Sequence, residues 1–127
     1  MSPRAAALVA IATGGAIGAL ARAGLAEGLP GERWPIGTLL VNIVGTVLLA
    51  VVAALIAWRP ALPHWFHPLA ALGFCGSLTT FAGIQIEALG LMRRGLSGPA
   101  VLYVAATVVL GLIAIVATRR IMARVIR

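Results

Sequence analysis

Residues 68–92 read PLAALGFCGSLTTFAGIQIEALGLM, and this run decides what kind of molecule the chain builds. It is long and apolar enough to cross a bilayer, whose hydrocarbon core takes about 20 residues of helix. Yet it interrupts itself. Glycines at 73 and 76, followed by Ser77, Thr79 and Thr80, make the GSLTT stretch at 76–80 a weak point for continuous helix. Broken backbone at membrane depth is tolerated only where protein or a cavity covers it. The stretch therefore predicts a spanning helix with a break near its centre, its carbonyls and amides turned inward. Carbonyls in such a break suit a small cation, and hydroxyls suit an anion. Phe81 comes next. The edge of a phenyl ring is partly positive, so this ring either touches an anion or packs like any other.

The rest of the chain agrees with a membrane setting. Of 127 residues, 61% are apolar and 10% charged, with a mean hydropathy of +1.07. A soluble helical bundle of this size could not cover its core with so few charges. Apolar runs fall at about 5–25, 36–57, 68–92 and 99–118, each close to bilayer length. The linkers EGLPGERWP (27–35), WRPALPHWFH (58–67) and RRGLSG (93–98) carry turn chemistry. Pro35 and Pro99 suit first helical turns, and Trp34, Trp58 and Trp65 sit at span ends, where indole rings favour the interface. The prediction is a single all-α, polytopic membrane domain over 1–127. A cleaved signal peptide is the alternative for the first run, with Arg4 as its charged start and ALA at 19–21 as its cleavage site. The GGAIG stretch at 14–18 favours a retained span, because small residues at i and i+4 let helices approach closely in lipid.

The net charge of +7 comes from ten arginines against three glutamates, with no lysine and no aspartate. A basic chain raises nucleic-acid binding, but these arginines flank apolar runs, so membrane anchoring is the simpler reading. With an even number of spans both termini share one side. That side holds Arg4, Arg59, Arg119, Arg120, Arg124 and Arg127; the other holds Arg33, Arg93, Arg94 and, at a span end, Arg22. The bias leans toward cytoplasmic termini and vanishes without the C-terminal cluster. A chain so weakly oriented can pair with an inverted copy of itself. The lone Cys75 excludes an intrachain disulfide, and His64 and His67 have no third metal ligand nearby.

Polar groups inside the spans each need a reason. Thr38, Asn42 and Gly45 lie at i, i+4 and i+7, on one face of the second span. Asn42 either glues helices by an interhelical hydrogen bond, worth about 0.6–2 kcal/mol, or serves a ligand. Tyr103, Thr107 and Gly111 draw a polar stripe on the fourth span, unless the threonine bonds its own i−4 carbonyl. Arg22 either snorkels to the interface or lends positive potential to a vestibule. Glu87 is a carboxylate inside a span, which marks a functional site or else a structural pairing with an arginine.

Taken together, GGAIGALARAG (14–24), GTLLVNIVGT (37–46) and GFCGSLTTFAGIQIE (73–87) resemble the Fluc (CrcB) family of bacterial fluoride channels, in order and in spacing, over nearly the whole chain. The resemblance implies a four-helix subunit that assembles as an antiparallel, dual-topology dimer in the bacterial inner (plasma) membrane. It implies two narrow fluoride pores and one structural sodium ion at the centre of the dimer. Asn42 would be the pore amide and Phe81 the first of two pore phenylalanines. Thr80 would lend a hydroxyl, and Tyr103 and Thr107 would form the polar track. Gly76 and Thr79 would offer backbone oxygens to sodium, and Arg22 matches the arginine closing the first motif. The implied activity is passive fluoride export that relieves fluoride toxicity, with no enzymatic step.

Three departures stand out. Where the family reads T-T-F-S-T-F, this chain reads TTFAGI, so Ala82, Gly83 and Ile84 replace a serine, a threonine and the second phenylalanine. Ile84 keeps the passage apolar without an aromatic edge. It leaves three expectations open: conduction with one ring, weak conduction, or pairing with a related subunit that supplies the missing ring. Two rival functions exist. A proton-coupled exporter of the small multidrug type would need a carboxylate deep in the first span, which has none there. A non-conducting accessory subunit would leave Asn42, GSLTT and Tyr103 without a purpose.

Overall fold

The computed structural model describes residues 1–28, 34–59 and 61–126, and every structural statement below concerns these. Arg33 and Arg127, named above in the charge pattern, lie outside the described residues. The chain forms α1 (Pro3–Gly28), α2 (Ile36–Trp58), a third span in two pieces, and α5 (Ser97–Val125). The first piece, α3, is wound as a π-helix over Pro68–Cys75 and continues as α-helix over Gly76–Leu78; the second piece is α4 (Phe81–Arg93). Four helical stretches are long and apolar enough to cross a membrane. The protein is therefore a multi-pass membrane protein.

The helix limits follow from local chemistry. Helix α2 begins after Pro35 and stops at Trp58, because Arg59 precedes Pro60 and a residue before proline is pushed out of the α region. Arg59 accordingly has φ −116° and ψ 83°. Helix α4 ends in a Schellman motif. Gly95, at φ 76°, turns the chain left-handed, its N–H bonds the Met92 carbonyl, and the Leu96 N–H bonds the Leu91 carbonyl. Helix α5 outruns its apolar stretch, reaching Val125 where hydropathy ends near 118. Arg119, Arg120 and Arg124 are good helix formers, and a helix that has left the bilayer needs no further apolar residues.

Helix α1 packs along α3, while α2 and α4 both pack on α5. The α1–α3 contact is made by glycine. A Cβ on Gly14 would strike the Leu69 carbonyl, one on Gly18 the Phe74 carbonyl, and one on Gly73 would sit 2.6 Å from the Ile11 carbonyl oxygen. So Gly73 serves close approach rather than the break. The break occupies the two residues that follow Leu78, Thr79 (φ −83°, ψ 152°) and Thr80 (φ −146°, ψ 119°). β-branched residues favour that extended backbone.

Little of this surface is hidden within one chain. In the most apolar window of each span, 22% of residues or fewer are buried. Large apolar side chains such as Leu20, Ile86, Val101 and Ile113 stand exposed along the spans. Lipid or a second chain must cover them, which excludes a soluble bundle.

Gly18→Ala is expected to lower thermal stability in detergent by about 1–3 kcal/mol, the usual cost of overpacking. Gly24→Ala is the control, because a Cβ there meets nothing within 4 Å. It should leave the melting temperature unchanged or raise it slightly. Equal melting temperatures for the two variants would refute the close contact.

Candidate functional site

A helix that stops leaves its last carbonyls and the next helix's first amides without partners, and in lipid there is no water to take them. The break at 79–80 meets this with side chains from other helices. In a continuous helix the Thr80 N–H would bond the Gly76 carbonyl; here it donates to Asn42 Oδ1 at 2.8 Å. Asn42 Nδ2 in turn donates to the Thr80 carbonyl at 3.2 Å. The Gly83 N–H, which would bond the Thr79 carbonyl, donates instead to Thr80 Oγ1 at 3.0 Å, a helix N-cap. Arg22 Nε reaches across from α1 to the Ser77 carbonyl at 3.1 Å, a cation on a helix C-terminus. Thus α1 and α2 each send one polar side chain to the break. Gly45 lets α2 come close enough, since a Cβ on it would collide with the Thr79 methyl.

Beside the break lies a groove of about 280 Å³, lined by residues that include Asn42, Gly45, Thr46, Thr79, Thr80, Phe81, Ile84, Thr107 and Gly111. The structure therefore brings Asn42, Thr80, Phe81, Ile84 and Thr107 together around one space. Asn42 is buried, whereas Phe81 is 74% exposed at the chain's surface. Ile84 has two roles: it lines the groove and packs against the cluster of Leu39, Leu91, Ala100 and Tyr103. The sequence reading leaves out Thr46, although its position one turn beyond Asn42 was a usable signal.

Counting protons narrows what the groove offers. The Thr79 hydroxyl donates to the Cys75 carbonyl at 3.0 Å, and the Thr107 hydroxyl to the Tyr103 carbonyl at 2.8 Å. Thr107 thus faces the groove with acceptor lone pairs, as membrane threonines often do. Three side-chain donors on the lining remain for a ligand: the second N–H of Asn42, the hydroxyl proton of Thr80, which so far only accepts, and the hydroxyl proton of Thr46.

Tyr103 takes a different place from the polar track expected of it. It is fully buried in the core, edge-on to Trp34 with ring centroids 6.1 Å apart, and lies outside the groove lining. Its hydroxyl donates to Glu87 Oε2 at 2.6 Å. Thr38 donates to Glu87 Oε1, also at 2.6 Å. Glu87, read from the sequence as a functional carboxylate or else an arginine's structural partner, is held by two hydroxyls, from α2 and α5, in short bonds. The reason is position: Glu87 faces inward from α4 between those helices, where neutral hydroxyls reach it. Cys75 is buried in α3. Among the described residues no three His, Cys, Asp or Glu side chains come together as a metal site.

Comparison with known proteins matches residues 9–119 to the family model described as CrcB-like protein, Camphor Resistance (CrcB). Among similar proteins, the "Fluoride-specific ion channel FluC 2" of Geobacillus kaustophilus is 38% identical over 109 residues, covering 84% of each chain. The "Fluoride-specific ion channel FluC 1" of Mycobacterium bovis is 40% identical over 110 residues, 85% of this chain and 83% of the other. The "Fluoride-specific ion channel FluC" of Bordetella pertussis is 40% identical over 99 residues, 78% and 77% respectively.

Removing one hydroxyl from Glu87 tests the α2–α4–α5 tie. Tyr103→Phe leaves Glu87 Oε2 without its donor and is expected to cost about 1.5–3 kcal/mol of stability, the range for a hydrogen bond to a charged group. Urea unfolding in detergent measures it. In a Glu87→Gln background the same substitution should cost less than half as much, and equal costs would show that the two side chains are not coupled.

Proposed function

This chain belongs to the CrcB family, and from that premise we propose that it is a passive, fluoride-selective channel that lets cytoplasmic fluoride leave the cell. Fluoride is small and strongly hydrated, so a pore must replace its water with donors that hold it weakly enough for release. The groove beside the break has that character. Its uncommitted side-chain donors, on Asn42, Thr46 and Thr80, are neutral, and the carboxylate on α4 is already held by hydroxyls. This donor arrangement is the observation that carries the reading. Phe81 adds a ring at the groove's edge, whose partly positive rim can touch an anion without trapping it. The protein makes and breaks no bond. Hydrogen fluoride enters an acidified cell as the neutral acid and dissociates, and the anion leaves down its own gradient.

The proposed assembly is an antiparallel pair of identical chains in the bacterial inner membrane. Support comes from the weak arginine bias and from the open side of the groove, where Phe81 is left exposed for a second chain to cover. A related subunit carrying a phenylalanine where this chain has Ile84 is the alternative partner. A sodium ion at the centre of the pair fits the chemistry of the break. The carbonyls of Gly76 and Thr79 lose their helical donors to Asn42 and Thr80, and hard carbonyl oxygens suit such a cation. The ion would fix two copies of the break against one another.

Purified chain in liposomes loaded with fluoride should release it, read by a fluoride-selective electrode, while chloride-loaded liposomes should not empty. Chloride release at the same rate, or no fluoride release, would overturn the function. Asn42→Asp should suppress fluoride flux at least about tenfold. A carboxylate about 4 Å from the ion at an effective dielectric constant of about 20 opposes it by about 4 kcal/mol. Undiminished flux in that variant would remove Asn42 from the path.

A further inference from the structure

The hydrogen bonds at the break carry a consequence for the cation. The two amides that would close the helix over Gly76 and Thr79 are each held by a side chain: the Thr80 N–H by Asn42 Oδ1 and the Gly83 N–H by Thr80 Oγ1. We propose that Asn42 and the Thr80 hydroxyl act as amide traps that keep the break open, and that they thereby set the affinity of the cation site from within the groove. Asn42 is a positioning residue for sodium as well as a lining residue for the anion, so the two ion sites share one side chain. The inference rests on the sodium reading above.

An amide and a cation compete for the same carbonyl oxygen. Asn42 is buried against the Thr80 amide, and its removal leaves that N–H without its side-chain acceptor. The acceptor that a continuous helix offers it is the Gly76 carbonyl. That oxygen cannot serve an N–H and a cation along the same direction, so every closure of the helix excludes the ion. The same holds for the Gly83 amide and the Thr79 carbonyl. Space for the second trap is local: a Cβ on Gly83 would lie 2.7 Å from the Thr80 methyl, so the glycine lets Thr80 fold over its own amide. The traps differ in chemistry. Asn42 both accepts from and donates to Thr80, whereas a carboxylate at 42 would still accept the N–H but could not donate to the carbonyl.

The test is thermal unfolding of the purified protein in detergent, titrated with sodium at constant ionic strength against N-methylglucamine. Wild type should melt at a temperature that rises saturably with sodium. Asn42→Ala and Thr80→Val should shift the half-saturating sodium concentration upward about tenfold, the factor that 1.4 kcal/mol gives. Thr80→Ser keeps the hydroxyl and should titrate as wild type. Asn42→Asp should keep a sodium midpoint at or below the wild-type value while losing fluoride flux. A role confined to stability would lower the melting temperature equally at every sodium concentration and leave the midpoint in place. If Asn42→Ala does not fold, the Thr80 valine and serine pair decides the matter. A wild type indifferent to sodium overturns the sodium reading itself. A wild type that titrates, with variants of unchanged midpoint, overturns the traps alone.

Discussion

An amide or carbonyl opened inside a bilayer has no solvent to bond, and each such group left alone costs several kcal/mol. That constraint governs the break at Thr79 and Thr80. Three side chains answer it: Arg22 from α1 on the Ser77 carbonyl, Asn42 from α2 on both polar groups of Thr80, and Thr80 itself on the Gly83 amide. Two neighbouring helices must stand within hydrogen-bond reach of one point. Glycine achieves this on α2, where a Cβ at 45 would meet Thr79, and along α1, where Gly14 and Gly18 touch the backbone of α3.

The two halves of the third span are anchored by different means. The first half lies against α1 through close backbone contact, an interaction that needs small residues and no polar group. The second half is tied by Glu87, whose oxygens take one hydroxyl from α2 and one from α5. Each half is thus fixed independently, and the extended residues between them bridge two rigid supports. The groove forms where these supports meet, and every lining residue except Thr79 and Thr80 belongs to a helix. Ile84 shows the economy of the design: one side chain closes the groove on one side and completes the packing around Tyr103 on the other.

Much of the site was legible because membrane proteins restrict their polar residues. In spans so apolar, Thr38, Asn42, Thr80, Glu87 and Tyr103 stand out as requiring partners, and all five are joined in hydrogen bonds between helices or at the break. The partners themselves were not legible. Spacing places Tyr103 and Thr107 on one stripe of α5, yet the tyrosine turns into the core and the threonine lines the groove. One turn on a helix fixes a shared face but not which neighbour each side chain meets. Nor does an intramembrane carboxylate reveal its partner, because an arginine and a pair of hydroxyls satisfy it equally well on paper.

By itself the sequence determined the number of spans, their approximate limits and the fact that the third is interrupted, since these depend on hydropathy and on local backbone preference. It also marked the polar residues, whose cost in hydrocarbon is a property of the single residue. The tertiary structure decided where the interruption falls and which donors remain uncommitted. Gly73 and Thr79 are both weak points for helix, and only the approach of α1 to one and of Asn42 to the other assigns close packing to the first and the break to the second. A hydrogen-bond donor is available or engaged according to what lies about 3 Å away. That distance is set by helices far apart in the chain, which local sequence cannot encode.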